Sequence, residues 1–170
     1  MLRRSARGQD FRTMETMSIW NGFLSEREIE FLIKIVFSLA AGVLIGLERE
    51  SRDKPAGIST QSLVIGGAML FTMISIQADP TSPARIAAQI ISGVGFLGAG
   101  IILKGEHGMV TNLTTAASIW FSAAIGMALG YSWYAVAVTA ALFSALVPRI
   151  PSYGYGKGGR RAGENRRADD

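Results

Sequence analysis

The sequence predicts an all-α protein, a polytopic transmembrane helical bundle of five spans, and three observations predict it. Charge is the first. Hydrophobic residues make up 49% of the chain and charged residues 18%, but from residue 58 to 147 the only charges are Asp79, Arg85, Lys104 and Glu106, with His107 beside them. A soluble domain with so long an uncharged stretch would expose large apolar patches. The second is run length: the apolar residues fall into stretches suited to a hydrocarbon core about 30 Å thick. The third is punctuation, because the runs are separated by turn and helix-stop residues.

The first span is read as 29–47. Ser25 with Glu28 three residues on forms a capping-box start, and Lys34 lies one turn after Glu30, so the two can pair or snorkel. The second span, 58–77, is broken by Asp79-Pro80. The third is 84–104, followed by "KGEHGMVTN" as a short turn. The fourth, 113–129, and the fifth, 131–147, are separated by a tight turn around Gly130, and Pro148 and Pro151 stop the last helix. Residues 1–28 are read as a flexible N-terminal segment. Met14 and Met17 suggest a later translation start, which N-terminal mass spectrometry tests. Residues 148–170, rich in glycine and charge, are read as a disordered cytoplasmic tail.

Lys and Arg near the spans set the direction. Arg49, Arg52 and Lys54 lie in the first loop, Lys104 in the third, and Arg149, Lys157, Arg160 and Arg161 in the tail, against Arg27 and Arg85 on the other side. The first loop, third loop and C-terminus are therefore expected in the cytoplasm and the N-terminus outside. The same placement accounts for the sequence pI near 9.8 better than nucleic-acid binding does. There is no cysteine, which excludes disulfides, thiolate metal sites and a cysteine nucleophile.

Small residues recur every fourth position: Ser38, Gly42 and Gly46 in the first span; Ser122, Gly126 and Gly130 in the fourth; Ala137, Ala141 and Ala145 in the fifth. The third carries Ala84, Ala88, Ser92, Gly95 and Ala99 on one face and Gln89, Gly93 and Gly100 on a neighbouring one. In lipid, close backbone approach at such residues holds helices together. Gly93, Gly95 and Gly98 also spell G-x-G-x-x-G, but a dinucleotide fingerprint needs a preceding strand and an acidic ribose ligand about twenty residues on. Neither is present, so these glycines are read as packing positions, where a bulky residue at Gly95 or Gly98 should disrupt the bundle.

Few polar groups remain. Glu48, at the membrane boundary with Arg49 and Glu50, is either part of a solvated helix end or part of an ion or partner site. Gln89 and Ser92, with Thr114, Thr115, Ser118 and Ser122, form a polar strip suited to interhelical hydrogen bonds. Asp79, Thr81 and Ser82 are good start residues for the third helix. His107 has no second ligand in sight. No catalytic triad, buried carboxylate pair or ligand cluster appears, so no enzyme activity, cofactor, metal or nucleotide is expected.

Four stretches together resemble the membrane domain of the MgtC/SapB family: "GVLIGLERESRDKPAGIST" (42–60), "SLVIGGAMLFT", "DPTSPARIAAQIISGVGFLGAGIILK" (79–104) and "LTTAASIWFSAAIGMALG" (113–130). The resemblance covers about 30–147. Its motif positions are Glu48, Arg49, Glu50, Lys54, Pro55, Gly57, Arg85, Gln89, Ser92, Gly93, Gly95, Gly98, Gly100, Thr114 and Thr115. Three positions depart from it: Ser59 stands where arginine is usual, Asn112 where glycine is usual, and Thr114 where some members have asparagine. The resemblance implies a multi-pass bacterial inner-membrane protein linked to magnesium limitation, to intracellular survival in pathogens and to restraint of the proton-translocating ATP synthase. Several members carry a further C-terminal ACT-like domain, which the tail here is not expected to form. Three function classes follow: a non-catalytic modulator that contacts another membrane protein or itself through small-residue faces, a small Mg²⁺ transporter or channel, and a nucleotide-using enzyme, the least supported. The lipid bilayer is the expected surrounding, with no nucleic acid or nucleotide partner.

Overall fold

Apolar runs bounded by good caps fold as helices, and the computed structural model describes residues 25–82, 84–104 and 110–150 in that form. Five helices follow in order: α1 (Glu26–Glu50), α2 (Ile58–Ala78), α3 (Ala84–Ile101), α4 (Leu113–Gly130) and α5 (Tyr134–Leu146), with a 3₁₀ turn at Val147–Arg149. By length and composition α1, α2 and α4 can cross a membrane; α3 is as long as α4, and α5 is a shorter apolar helix. The proposed start-site extension and residues 151–170 of the expected tail lie outside the described residues; residues 25–28, read as flexible, form the capped start of α1, and Pro148 and Arg149, read as tail, belong to the 3₁₀ turn.

The capping box of α1 forms in full, Ser25 accepting from the Glu28 backbone and Glu28 from that of Ser25. Two boundaries differ from expectation. The third helix ends at Ile101, because Leu103–Lys104 pairs antiparallel with Val110–Thr111 and the chain turns back as a small ladder. The fifth begins at Tyr134: Ser132 takes φ 61° in the turn, while the Trp133 and Tyr131 amides satisfy the last carbonyls of α4. Asn112 takes φ 64° as α4 begins. Asparagine tolerates this left-handed conformation best after glycine, which explains how it stands where the family usually has glycine.

Helix α2 lies between α1 and α4, and the fourfold small-residue spacing is what lets both close on it. A Cβ on Gly42 or Gly46 would fall on the backbone of Ser62 or Ile58, and one on Gly126 or Gly130 would fall on the Ile65 carbonyl or Thr72. Ile45, Ile65, Met69, Ile125 and Leu129 fill the space between, with Ala137 and Ala141 of α5 at its edge. At one end, the buried Lys34 ammonium meets Glu30 at 2.8 Å and donates to the Gly130 carbonyl at 2.9 Å, a favourable place for a cation at the C-terminus of α4.

Helix α3 corrects the expected packing. Ala87, Ile90, Val94 and Gly98 face inward, with Ile90 and Val94 against Ala68, Ile119 and Ala123. Ala88, Gln89, Ser92, Gly93, Gly95, Ala99 and Gly100 are exposed. A Cβ on Gly93, Gly95 or Gly100 would meet nothing, and one on Gly98 would make ordinary contact with Ala116 at 3.6 Å. A bulky residue at Gly95 therefore leaves this bundle undisturbed. The inward face is the branched one because Ile90 and Val94 make more dispersion contact with α2 and α4 than a glycine face offers.

Candidate functional site: a buried polar cluster beside a basic cleft

The end of α1 carries GLERE, and helical spacing turns Glu48 and Arg49 inward while Glu50 stays exposed. Glu48 is 2% exposed and Arg49 3%. One Glu48 oxygen pairs with Arg52 Nη1 at 3.2 Å, an i,i+4 bridge; the other has no hydrogen-bond partner among the described residues. Arg49 reaches across to α4, where Nη2 donates to Thr115 Oγ1 at 2.5 Å, and it also approaches the Pro55 carbonyl at 3.5 Å. Its Nε is unpartnered among the described residues. Arg52 in turn donates to the Pro148 carbonyl, tying the first loop to the end of the last helix.

The loop that follows is shaped by two residues with positive φ, Asp53 and Ala56. It brings Glu50 back over the start of α2, where the carboxylate accepts from the Ile58 amide at 2.9 Å. Gly57 is required there, since a Cβ would collide with the Glu50 side chain. One turn further, Gln61 is fully buried. Its amide donates to the Ala56 carbonyl at 3.2 Å and to Ser118 Oγ at 3.1 Å, and it accepts from Ser122 Oγ at 2.5 Å.

The predicted residues thus separate into two groups. Glu48, Arg49, Glu50, Lys54, Pro55, Gly57, Thr114 and Thr115 converge on one end of the bundle, with Lys54 and Thr114 lining the cleft that Arg49 borders. Gln89, Ser92, Gly93, Gly95 and Gly100 lie on the open face of α3, with Gly98 on its packed side. Arg85 is exposed at the start of α3, about 24 Å of helix from Ile101, which receives the Asn112 amide at 3.3 Å. At that far end, Asp79 closes the turn before α3 by accepting from the Thr81 and Ser82 amides. Gln61 was not singled out by the sequence. Ser118 and Ser122, which it joins, are recognisable as part of a polar strip, whereas Gln61 lies among Ser59, Thr60 and Ser62 in the first turns of its helix and carries no signal that sets it apart.

Gly93, Gly95 and Gly98 lie inside α3, so the strand–turn–helix that a dinucleotide site requires does not form. Among the described residues no group of three or more His, Cys, Asp or Glu is placed to hold a metal.

Long apolar helices closed around a small polar cluster define a helical membrane protein. The chain belongs to the MgtC family, whose pattern matches residues 35–151. It is 43% identical over 121 residues to Protein MgtC of Salmonella typhimurium strain LT2, covering 70% of this chain and 52% of that protein. To Protein SapB of Bacillus subtilis it is 38% identical, covering 67% and 53%. To a protein of Escherichia coli K12 named putative magnesium transporter YhiD it is 42% identical, covering 71% and 60%. The chain spans about half the length of the curated relatives it matches. No solved structure matches it.

Proposed function

We propose that residues 29–147 form a five-span domain of the bacterial inner membrane, with the first loop, third loop and C-terminus in the cytoplasm, and that it is a non-catalytic modulator of another membrane complex. The proton-translocating ATP synthase under magnesium limitation is the complex the family resemblance favours. The observation that carries this reading is the open face of α3. Ala88, Ser92, Gly95 and Ala99 are spaced by four, three and four residues, all exposed on a helix whose other side is packed. Such spacing suits a second helix at close range.

A photoreactive residue at Gly95 or Ala99, irradiated in native membranes of cells grown at low Mg²⁺, is expected to give one defined adduct with a second membrane protein. The same residue at the buried position Ala123 gives none. Adducts with lipid or with the same chain alone would overturn the reading.

A second reading is favoured by the printed name of the Escherichia coli relative and by the buried carboxylate of Glu48: a small Mg²⁺ transporter or channel. A hydrated Mg²⁺ needs one or two carboxylates, and Glu48 is already held by Arg52 with Arg49 adjacent. Flux into liposomes that is lost in Glu48→Gln supports transport; its absence in the unaltered protein rejects it.

A further inference from the structure

Three segments meet beyond the polar cluster: the end of α1 with its loop, the first turn of α4, and the 3₁₀ turn after α5. They enclose a cleft of about 920 Å³ into which Arg49, Arg52, Lys54 and Arg149 face, with no carboxylate among the described residues on its walls. Arg52 is offset by Glu48. Arg49, Lys54 and Arg149 have no carboxylate within ion-pair distance among the described residues. Arg49 is the informative one: it is 3% exposed, and among the described residues its acceptors are a hydroxyl and a carbonyl. The neighbouring Glu48 carboxylate is shared with Arg52, so it offsets Arg49 only in part; cations taken out of water without full counter-charge are costly, and the excess of positive charge at this cleft suits an anion.

The first turn of α4 points the same way. Its amides carry the positive end of the helix dipole. Asn112, which precedes them, makes no capping bond and gives its side chain to Ile101 instead. Thr114 is exposed to the cleft. An anion seated there would meet amides, hydroxyls and guanidinium groups together, the donor set that recognises phosphate. On the opposite wall Val147 and Ile150 are apolar and exposed, as a site at the edge of a bilayer requires.

We propose that this cleft binds a phosphate group, carried by an anionic phospholipid headgroup or free in solution. Basic pockets between membrane helices hold such headgroups elsewhere. The site is separate from the α3 face and does not depend on the modulator reading.

The test uses the full chain in zwitterionic detergent, titrated with short-chain phosphatidylglycerol, short-chain phosphatidylcholine and inorganic phosphate. Phosphatidylglycerol is expected to bind more tightly than phosphatidylcholine, to weaken as salt is raised, and to lose about tenfold in affinity in Lys54→Ala/Arg149→Ala. Both residues are exposed, so the pair of changes leaves the fold intact. If inorganic phosphate binds with the same loss in that variant, the natural ligand class is free phosphate; if only phosphatidylglycerol does, it is a headgroup. Arg49→Gln, where it folds, abolishes both. Equal affinity for phosphatidylglycerol and phosphatidylcholine, together with phosphate binding that the double variant does not weaken, would overturn the proposal.

Discussion

Glycines occur in α1 and α4 and also in α3, and the two groups have opposite surroundings. Gly42, Gly46, Gly126 and Gly130 lie where α1 and α4 press on α2, with no room for a single added carbon. At Gly93, Gly95 and Gly100 an added carbon would meet none of the described residues. The same letters therefore serve an internal seam in one place and an unoccupied surface in the other. A small-residue pattern states that a helix can be approached closely; it does not state by what.

The largest expected effect separates these two groups. Gly126→Leu drives a side chain into the Ile65 carbonyl and is expected to cost more than about 3 kcal/mol, the upper range of overpacking, giving no monodisperse protein in detergent. Gly95→Leu should purify and melt like the unaltered chain. A well-folded Gly126→Leu with a collapsed Gly95→Leu would reverse the comparison. Next is Gln61→Leu, which strips Ser118 and Ser122 of their buried partner and should lower stability by about 1–3 kcal/mol, read as a lower midpoint in thermal melting. An unchanged midpoint would show that the cluster between α2 and α4 contributes nothing.

Smaller still is Glu48→Gln. The bridge it removes has a partly exposed Arg52 at one end and a buried carboxylate at the other, and glutamine keeps a hydrogen-bonding side chain there, so the change should cost about 1 kcal/mol. A loss of several kcal/mol would mean that the carboxylate carries more than this pair. The smallest effect is at the far end. The Asp79 carboxylate is held below the usual aspartate range chiefly by the Thr81 hydroxyl, against an opposing effect of burial, with the Ser82 and Thr81 amides adding to the lowering. A lowered folded pKa stabilises above the unfolded value and is lost as pH falls through the folded one. Asp79 should therefore steady the turn at neutral pH and release it only below about pH 4. In Asp79→Asn that acid dependence should be missing from hydrogen exchange of the Thr81 and Ser82 amides.

Most of the architecture was legible in the sequence because caps and apolar runs are local signals. Ser25 with Glu28, the pairing of Lys34 with Glu30, and the seams of α1, α4 and α5 all follow from spacing along one helix. The orientation of α3 was not, because both its faces are compatible with packing and the choice depends on which neighbours α4 presents. The site was half legible. Glu48, Arg49 and Thr115 stand out as polar residues at span ends, but that Arg49 reaches Thr115 is a property of the fold, since 66 residues separate them. Gln61 carries no periodic signal at all, and only its partners on α4 give it meaning.

The contact between Arg52 and Pro148, and that between Lys34 and Gly130, each join residues 96 positions apart. During synthesis the first helix therefore enters the bilayer long before the carbonyls that receive its cations exist. Lys34, Arg49 and Arg52 wait with only local partners until the fourth and fifth helices arrive, and contacts closing loops of that length form late. Among the described helices, the order of manufacture thus makes α1 the first made and the last finished, and a ribosome stalled before Gly130 would leave its charges for membrane quality control to see.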